Sequence, residues 1–255
     1  MEQRFVDRVV IVTGAGSGIG EATARRFSAE GASVVLVGDQ RAKLDALAEQ
    51  LPAERTLVAR CDVSKPRQVE AMVASAIKRF GGLDVLVSNA GVAPEGSVVE
   101  ASVDDWERTL AVNAGGVFHG ARAAMPHLIE RGGSIVNTAS VSGLGGDWSL
   151  ACYNASKGAI VNLTRSMALD FGPRGVRVNA VCPSLTFTPM TADMKGNRKL
   201  MAKFKERIPL GRGAEPSEIA AVIAFLASDD ASFVHGVMLP VDGGLTASNG
   251  QPPMG

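Results

Sequence analysis

Tyr153 is the only tyrosine of the chain, and it stands four positions before Lys157 in the run ACYNASKGAI, 151–160. Residues at i and i+4 share a helix face, so a phenol and an ammonium group can reach into one cleft. Such a pair suits the interconversion of an alcohol and a ketone. A phenol with a reference pKa of roughly 10 is too weakly ionised at neutral pH to accept a hydroxyl proton while hydride leaves the carbon. A cation about 4 Å away, at an effective dielectric of about 20, favours the phenolate by ~4 kcal/mol, so Lys157 is expected to draw the Tyr153 pKa down by whole units before desolvation opposes it. Thirteen residues upstream, Ser140 closes the apolar run GSIVNTAS, where an open sheet delivers side chains to the cleft at its carboxyl edge. The small residues Ala155, Ser156, Gly158 and Ala159 leave room for a ligand and a neighbouring backbone beside the helix.

Hydride transfer needs a carrier, and the N-terminal run VVIVTGAGSGIGEATARRF offers a place for one. It begins as a strand and turns helical within a few residues, with Gly14, Gly16, Gly18 and Gly20 at the turn. Glycines admit positive φ and close approach of backbone N–H groups, and beside a helix N-terminus they make an anion site suited to a pyrophosphate. The spacing departs from G-x-G-x-x-G, because Ile19 stands where the third glycine would fall. Asp39 follows at the end of the next apolar run, SVVLVGDQR. A carboxylate there accepts hydrogen bonds from ribose hydroxyls and repels a 2′-phosphate, which points to NAD rather than NADP, although the neighbouring Arg41 could reach a phosphate.

These groups must be positioned by a sheet. Short β-branched runs recur at VVIVTG, SVVLVG, TLVARCDV, DVLVSNAG, GSIVNTAS, VRVNAVCP and VMLPVDGG, with segments of helical period between most of them. Near-continuous apolar strands alternating with helices predict an α/β fold, a doubly wound parallel sheet of about seven strands covered on both faces. Ser64, followed by Lys65 and Pro66, reads as an N-cap, and Gly81-Gly82 as the end of that helix. Pro216 starts another helix, with Ile219, Val222, Ile223 and Leu226 on its apolar face. No repeat or long polar linker divides the chain, so one domain, 1–255 with a polar tail at 248–255, is expected. The stretch 186–209 breaks the rhythm and reads either as a mobile lid or as a surface helical hairpin.

Composition excludes other roles. With 46% hydrophobic and 20% charged residues the chain can bury a substantial core, and 26 basic residues balance 26 acidic ones, so no net field draws it to nucleic acid or an anionic membrane. No apolar run reaches the ~18 residues of a membrane span, and the N-terminal residues lack a signal-peptide pattern, so the cytoplasm is the expected location. Cys61, Cys152 and Cys182 match no metal or redox spacing and read as reduced, mostly buried thiols. No metal is expected.

Gly14, Gly18 and Gly20 after Thr13, then Asn89-Ala90-Gly91, Asn113, Ser140, and Tyr153 with Lys157 resemble, in order and spacing, the signature of the short-chain dehydrogenase/reductase family over nearly the whole chain. The resemblance implies a single-domain Rossmann-type fold and a catalytic set of Asn113, Ser140, Tyr153 and Lys157. Tyr153 would act as general acid/base and Ser140 would hold the substrate oxygen. Lys157 would also bind the nicotinamide ribose, and Asn113 would hold a water in a proton relay. The cofactor would lie along Gly14, Ser17, Gly18, Ile19, Gly20, Asp39, Asp62, Val63, Asn89, Ala90, Gly91, Tyr153, Lys157, Pro183, Thr186 and Thr188. Two positions depart from the family pattern: Ser88 stands where a second asparagine is common, and Ser184 where glycine is usual.

Within that family, the stretches IVNTASVSGLGGDWSLACYNASKGAIVNLTRSMALD, NAVCPSL and PVDGGLTASNGQPP are similar to the meso-2,3-butanediol dehydrogenase/acetoin reductase branch. The substrate would be a small secondary alcohol or vicinal diol and its ketone. Trp148, Leu150 and Phe187 would supply an apolar pocket, with Ser142 as a second polar contact beside Ser140 and Tyr153. The alternatives are a reductase of 3-oxoacyl thioesters or of bulkier, steroid-like ketones, and a noncatalytic NAD-binding sensor. Family members are usually homotetramers or homodimers packed through the helices starting near Asp104 and Cys152.

Overall fold

A computed structural model describes residues 3–251. The strands are β1 (Val9–Thr13), β2 (Ser33–Gly38), β3 (Thr56–Arg60), β4 (Val85–Ser88), β5 (Ser134–Thr138), β6 (Arg177–Pro183) and β7 (Met238–Val241). They hydrogen-bond as one sheet in the order β3-β2-β1-β4-β5-β6-β7, and every pairing is parallel. Burial on both faces explains why β1 and β5 are buried at every residue and why these strands read as continuous apolar runs rather than alternating ones.

One face carries α3 (Pro66–Phe80), α5 (Gly115–Arg131) and α6 (Ala151–Phe171), which pack Val69, Met72, Leu128 and Ile160 onto Ile11, Leu86 and Ile135. The other carries α1 (Gly18–Ala29), α2 (Arg41–Ala48) and α9 (Pro216–Ala227), which pack Phe27, Leu44, Ile219 and Ile223 onto Val10, Val34 and Val136. The remaining helices are α4 (Val103–Thr109), α7 (Ala192–Lys195) and α8 (Arg198–Arg207). The expected doubly wound architecture is therefore the observed one. All strands point the same way and reverse their winding direction between β1 and β4, which opens a crevice at their carboxyl ends.

The local punctuation holds in part. Gly81 caps α3 with φ of 80°, the left-handed conformation glycine adopts without a Cβ penalty, and Pro216 occupies the first turn of α9. Ser64 does not cap α3. The helix starts at Pro66 with Lys65 as its N-cap, because the Ser64 hydroxyl and N–H both donate to Asp62 Oδ1, at 2.7 and 2.9 Å. On α9, Ile219, Ile223 and Leu226 are fully buried and Val222 partly so. The stretch 186–209 folds as a one-turn 3-10 segment followed by α7 and α8, two short helices without a buried residue, the arrangement of a surface hairpin. The three cysteines are buried free thiols, and burial pushes those of Cys61 and Cys182 up to about 11. Among the described residues no helix is long and apolar enough to cross a membrane. The tail 248–255 lies outside the described residues from 252 on.

Candidate active site

A cleft of about 1180 Å³ runs along the carboxyl edge of the sheet. Its floor is the β1–α1 turn. Gly14 has φ of 67° and Gly18 φ of 55°, and a Cβ on Gly14 would stand 3.0 Å from the Cα of Ala90. Gly20 closes the turn from behind: a Cβ there would press on the Gly14 carbonyl and lie 2.6 Å from Asn89 Nδ2, so only glycine lets α1 start this close to β1 and β4. Ser17, the N-cap of α1, makes no side-chain capping bond, and the first N–H groups of the helix face the cleft without a protein acceptor. Turn, free N–H groups and helix dipole together form the anion cradle that the glycine pattern predicts.

Thr13 ties this turn to the next strand. Its Oγ1 accepts from the N–H groups of Asn89 and Ala90, at 2.8 and 3.1 Å, while Asn89 Nδ2 donates to the Thr13 carbonyl at 3.1 Å. Asn89, Ala90 and Gly91 are thus pinned along the cleft wall. At one end of the cleft stand Asp39, Asp62 and Val63, joined by Arg60, whose Nε donates to the Asp39 carbonyl at 3.2 Å. Arg41 is paired with Asp45, whose carboxylate oxygens accept from its Nε at 2.8 and 2.9 Å. At the other end stand Ser140, Tyr153 and Lys157, with Pro183, Thr186 and Thr188 opposite. Ser17, Gly18 and Ile19 complete the lining.

Lys157 is buried and its Nζ donates to the Thr138 carbonyl at 2.7 Å, at the very end of β5. It lies 5.5 Å from the centroid of the Tyr153 ring. Burial pushes the ammonium pKa down to about 8. Burial likewise pushes the Tyr153 phenol up; the Ser140 hydroxyl draws it back and the charge of Asp147 raises it further. Desolvation, expected to oppose the Lys157 charge, is the largest influence on the phenol, and Lys157 Nζ donates to a backbone carbonyl.

Asn113 is fully buried behind the cleft wall and not in its lining. A π-helical turn, Leu110–Ala114, between α4 and α5 brings it there. Its Oδ1 accepts from Val92 N at 2.8 Å, and its Nδ2 donates to the Val92 carbonyl and to Ser156 Oγ, both at 2.9 Å. It therefore joins the loop after β4 to α6, directly under Tyr153 and Lys157. Ser142 is buried next to Ser140, whereas Trp148 is 85% exposed, and Trp148, Leu150 and Phe187 lie outside the lining of the cleft. Phe187 faces Lys195, whose Nζ is 5.4 Å from its ring centroid. Ser184, noted from sequence as a departure from the family pattern, borders the cleft, as do Arg60, Cys61 and Thr138, for which sequence offered no site reading; Thr138 was findable as the strand end two residues before Ser140.

A family described as Enoyl-(Acyl carrier protein) reductase matches residues 14–246, spanning the glycine turn, the Ser-Tyr-Lys group and the closing strand. The chain belongs to the short-chain dehydrogenase/reductase family. It is 56% identical over 249 residues to meso-2,3-butanediol dehydrogenase of Serratia marcescens, covering 98% of each chain. The crystal structure of levodione reductase superposes with a TM-score of 0.91 at 39% identity, over 96% of this chain and 100% of that one. The structure of a 3-ketoacyl-(acyl-carrier-protein) reductase from Brucella melitensis complexed with NADH gives a TM-score of 0.87 at 35% identity, over 94% of this chain and 99% of that one. The protein is accordingly an oxidoreductase, with the family fold and the Ser-Tyr-Lys group placed together at one end of its cleft.

Proposed function

We propose that this protein is an NAD-dependent dehydrogenase that interconverts a small secondary alcohol or vicinal diol of the 2,3-butanediol type and its ketone. The observation that carries the reading is the convergence of Ser140, Tyr153 and Lys157 at one end of a cleft whose other end holds the glycine turn and Asp39. The identity to the Serratia marcescens dehydrogenase favours the diol. A nicotinamide dinucleotide fits the residues present: the glycine turn offers N–H groups to its phosphates, Asp39 and Asp62 border its adenosine end, and Lys157 reaches its second ribose. When bound, it supplies or accepts the hydride.

The chain's own residues manage the proton and the orientation. The raised phenol of Tyr153 is protonated at neutral pH and so is ready to donate to the oxygen of a ketone. In the oxidative direction it must first lose that proton, and the ammonium of Lys157 beside the ring is the charge that favours the loss. Ser140 holds a substrate oxygen next to the phenol. Asn113, behind the cleft wall, ties the loop after β4 to α6 through Val92 and Ser156 and would hold a water in the proton relay. Asp39 favours NAD over NADP, because its charge opposes a 2′-phosphate.

A homotetramer or homodimer is supported by apolar side chains left exposed on the helices expected to pack: Trp106 on α4, Phe118 on α5 and Leu169 on α6. Three buried free thiols suit a reducing compartment such as the cytoplasm. The decisive experiment follows NADH absorbance with acetoin, diacetyl and an acetoacetyl thioester in parallel. Preferential reduction of acetoin or diacetyl supports the reading; preferential turnover of the thioester assigns the protein to acyl reduction instead.

A further inference from the structure

β3 ends at Arg60 and α3 begins at Pro66, and the residues between them make the turn that brings Asp62 and Val63 to the cleft. Bonds within the turn and to α3 set its shape. Asp62 Oδ1 accepts from the Ser64 N–H and hydroxyl, the Asp62 carbonyl accepts from Lys65 N–H at 3.0 Å, and Asp62 N–H donates to Gln68 Oε1 at 2.9 Å. A further bond comes from α5, 56 positions along the chain, where His119 Nδ1 lies 3.1 Å from the Val63 carbonyl. A carbonyl only accepts, so Nδ1 carries the hydrogen and donates.

Gly116 lies three residues before His119 and shares its face of α5. A Cβ on Gly116 would stand 2.8 Å from Val63 Cγ2, so the missing side chain is what lets Val63 sit against this helix. α5 therefore grips Val63 twice, by its side chain and by its carbonyl. Val63 is buried, and among the described residues its own N–H has no acceptor, which leaves that donor to a ligand in the cleft. Without the His119 bond the turn keeps its internal shape and loses its polar tie to α5. A ligand bearing on Val63 then has to order the turn as it binds, and affinity falls.

We propose that His119 is a positioning residue for the nucleotide: by donating to the Val63 carbonyl it holds the turn 61–65 at the depth at which Asp62 and the free Val63 N–H border the adenine. It acts on the adenosine end alone. Ser140, Tyr153 and Lys157 stand at the opposite end of the cleft, so the proton and hydride steps do not depend on this bond. The inference rests on the nucleotide part of the proposed function and adds to it the side chain that sets where the adenine site lies.

The test measures AMP and NADH binding by calorimetry, with kcat and KM for NADH in acetoin reduction alongside. His119→Leu and His119→Ala remove the donor with and without the side-chain bulk, and His119→Asn restores one, because its Nδ2 takes the place of the ring Nδ1. Loss of one hydrogen bond raises the Kd for AMP and for NADH by the same factor, roughly five- to tenfold, in His119→Leu and His119→Ala. KM for NADH rises with it while kcat stays at the wild-type value. His119→Asn returns both Kd values to within about twofold of wild type. A merely structural role would lower Tm and leave the Kd of the folded variants where it was. A Kd unmoved in the donor-free variants, no recovery in His119→Asn, or a kcat that falls while Kd holds overturns the proposal. If AMP fails to bind wild type, the nucleotide reading fails and takes the proposal with it; if AMP binds wild type and His119→Leu alike, the nucleotide reading stands and His119 has no part in it.

Discussion

Replacing Asn113 by alanine separates architecture from chemistry at this site. The carboxamide makes three hydrogen bonds within the protein, accepting from Val92 N and donating to the Val92 carbonyl and Ser156 Oγ. Asn113 and Ser156 are both fully buried, so water does not readily take over these partners. At ~1 kcal/mol for each bond, and with part of the side-chain volume left empty, Asn113→Ala costs about 3 kcal/mol. For a chain of this size about 2–4 °C is lost per kcal/mol, which places the variant's Tm about 6–12 °C below wild type. The loop 90–92, which carries Gly91 along the cleft wall, loses its tether, so the Kd for nucleotide rises together with the fall in Tm. The assay is thermal unfolding by circular dichroism with and without NAD, alongside kcat and KM. A Tm within 2 °C of wild type together with a large fall in kcat would refute the tethering argument and place Asn113 in the proton path alone.

Other expectations follow from the same geometry. Tyr153→Phe keeps the ring but removes the proton-transfer group, so kcat falls by roughly 10²–10⁴ while the Kd for NAD changes little; stopped assays and nucleotide titration check both. Asp39→Ala removes the charge at the adenosine end, and the NAD-over-NADP ratio of kcat/KM falls by about tenfold or more, read from parallel assays with the two nucleotides. Lys157, held to about 8 by burial against an ordinary lysine value of 10.5, is deprotonated in the folded chain between these values while the unfolded chain keeps its proton. The unfolded state then binds more protons at this site, so Lys157 contributes about 3 kcal/mol of stability that grows with pH across that window, opposed by the raised thiols of Cys61 and Cys182, and Lys157→Met removes the Lys157 contribution alone. Guanidinium unfolding of wild type and variant from pH 7 to 10.5 measures the difference; parallel curves would contradict it.

The sheet was legible because its strands are buried on both faces, which writes VVIVT, SVVLV and SIVNT as unbroken apolar runs. The glycine turn was legible for a different reason: Gly14 and Gly18 need φ values that other residues resist, and Gly20 has no space for a Cβ. What escaped is what depends on contacts between distant segments. Nothing local marks Leu110–Ala114 as a π-helical turn, since its extra residue is accommodated by Val92 and Ser156, both far along the chain. The start of α3 lies one residue later than read because Asp62, two residues before Ser64, accepts from both its N–H and its hydroxyl and draws it into a side-chain turn instead of a helix cap. The bond from Ser142 to Asp147, five residues on in an exposed loop, leaves no local signal either. Trp148 was read as a pocket wall from its aromatic type, and the chain instead turns it outward.

The loop that carries Trp148 is secured by Ser142 on one side, by the backbone bonds of Ser149 and Ala151 to Gly96 on the other, and between them by Asn154, whose Nδ2 donates to the Asp147 carbonyl at 2.8 Å. Between them, Gly145 lies in open space and the side chains of 144–149 face solvent. Such a segment can be rewritten in length or composition without disturbing the strands or the proton-transfer pair. Selection acting on this span, or a library built on it, is therefore free to retune which alcohols are admitted while the hydride chemistry beneath is inherited intact.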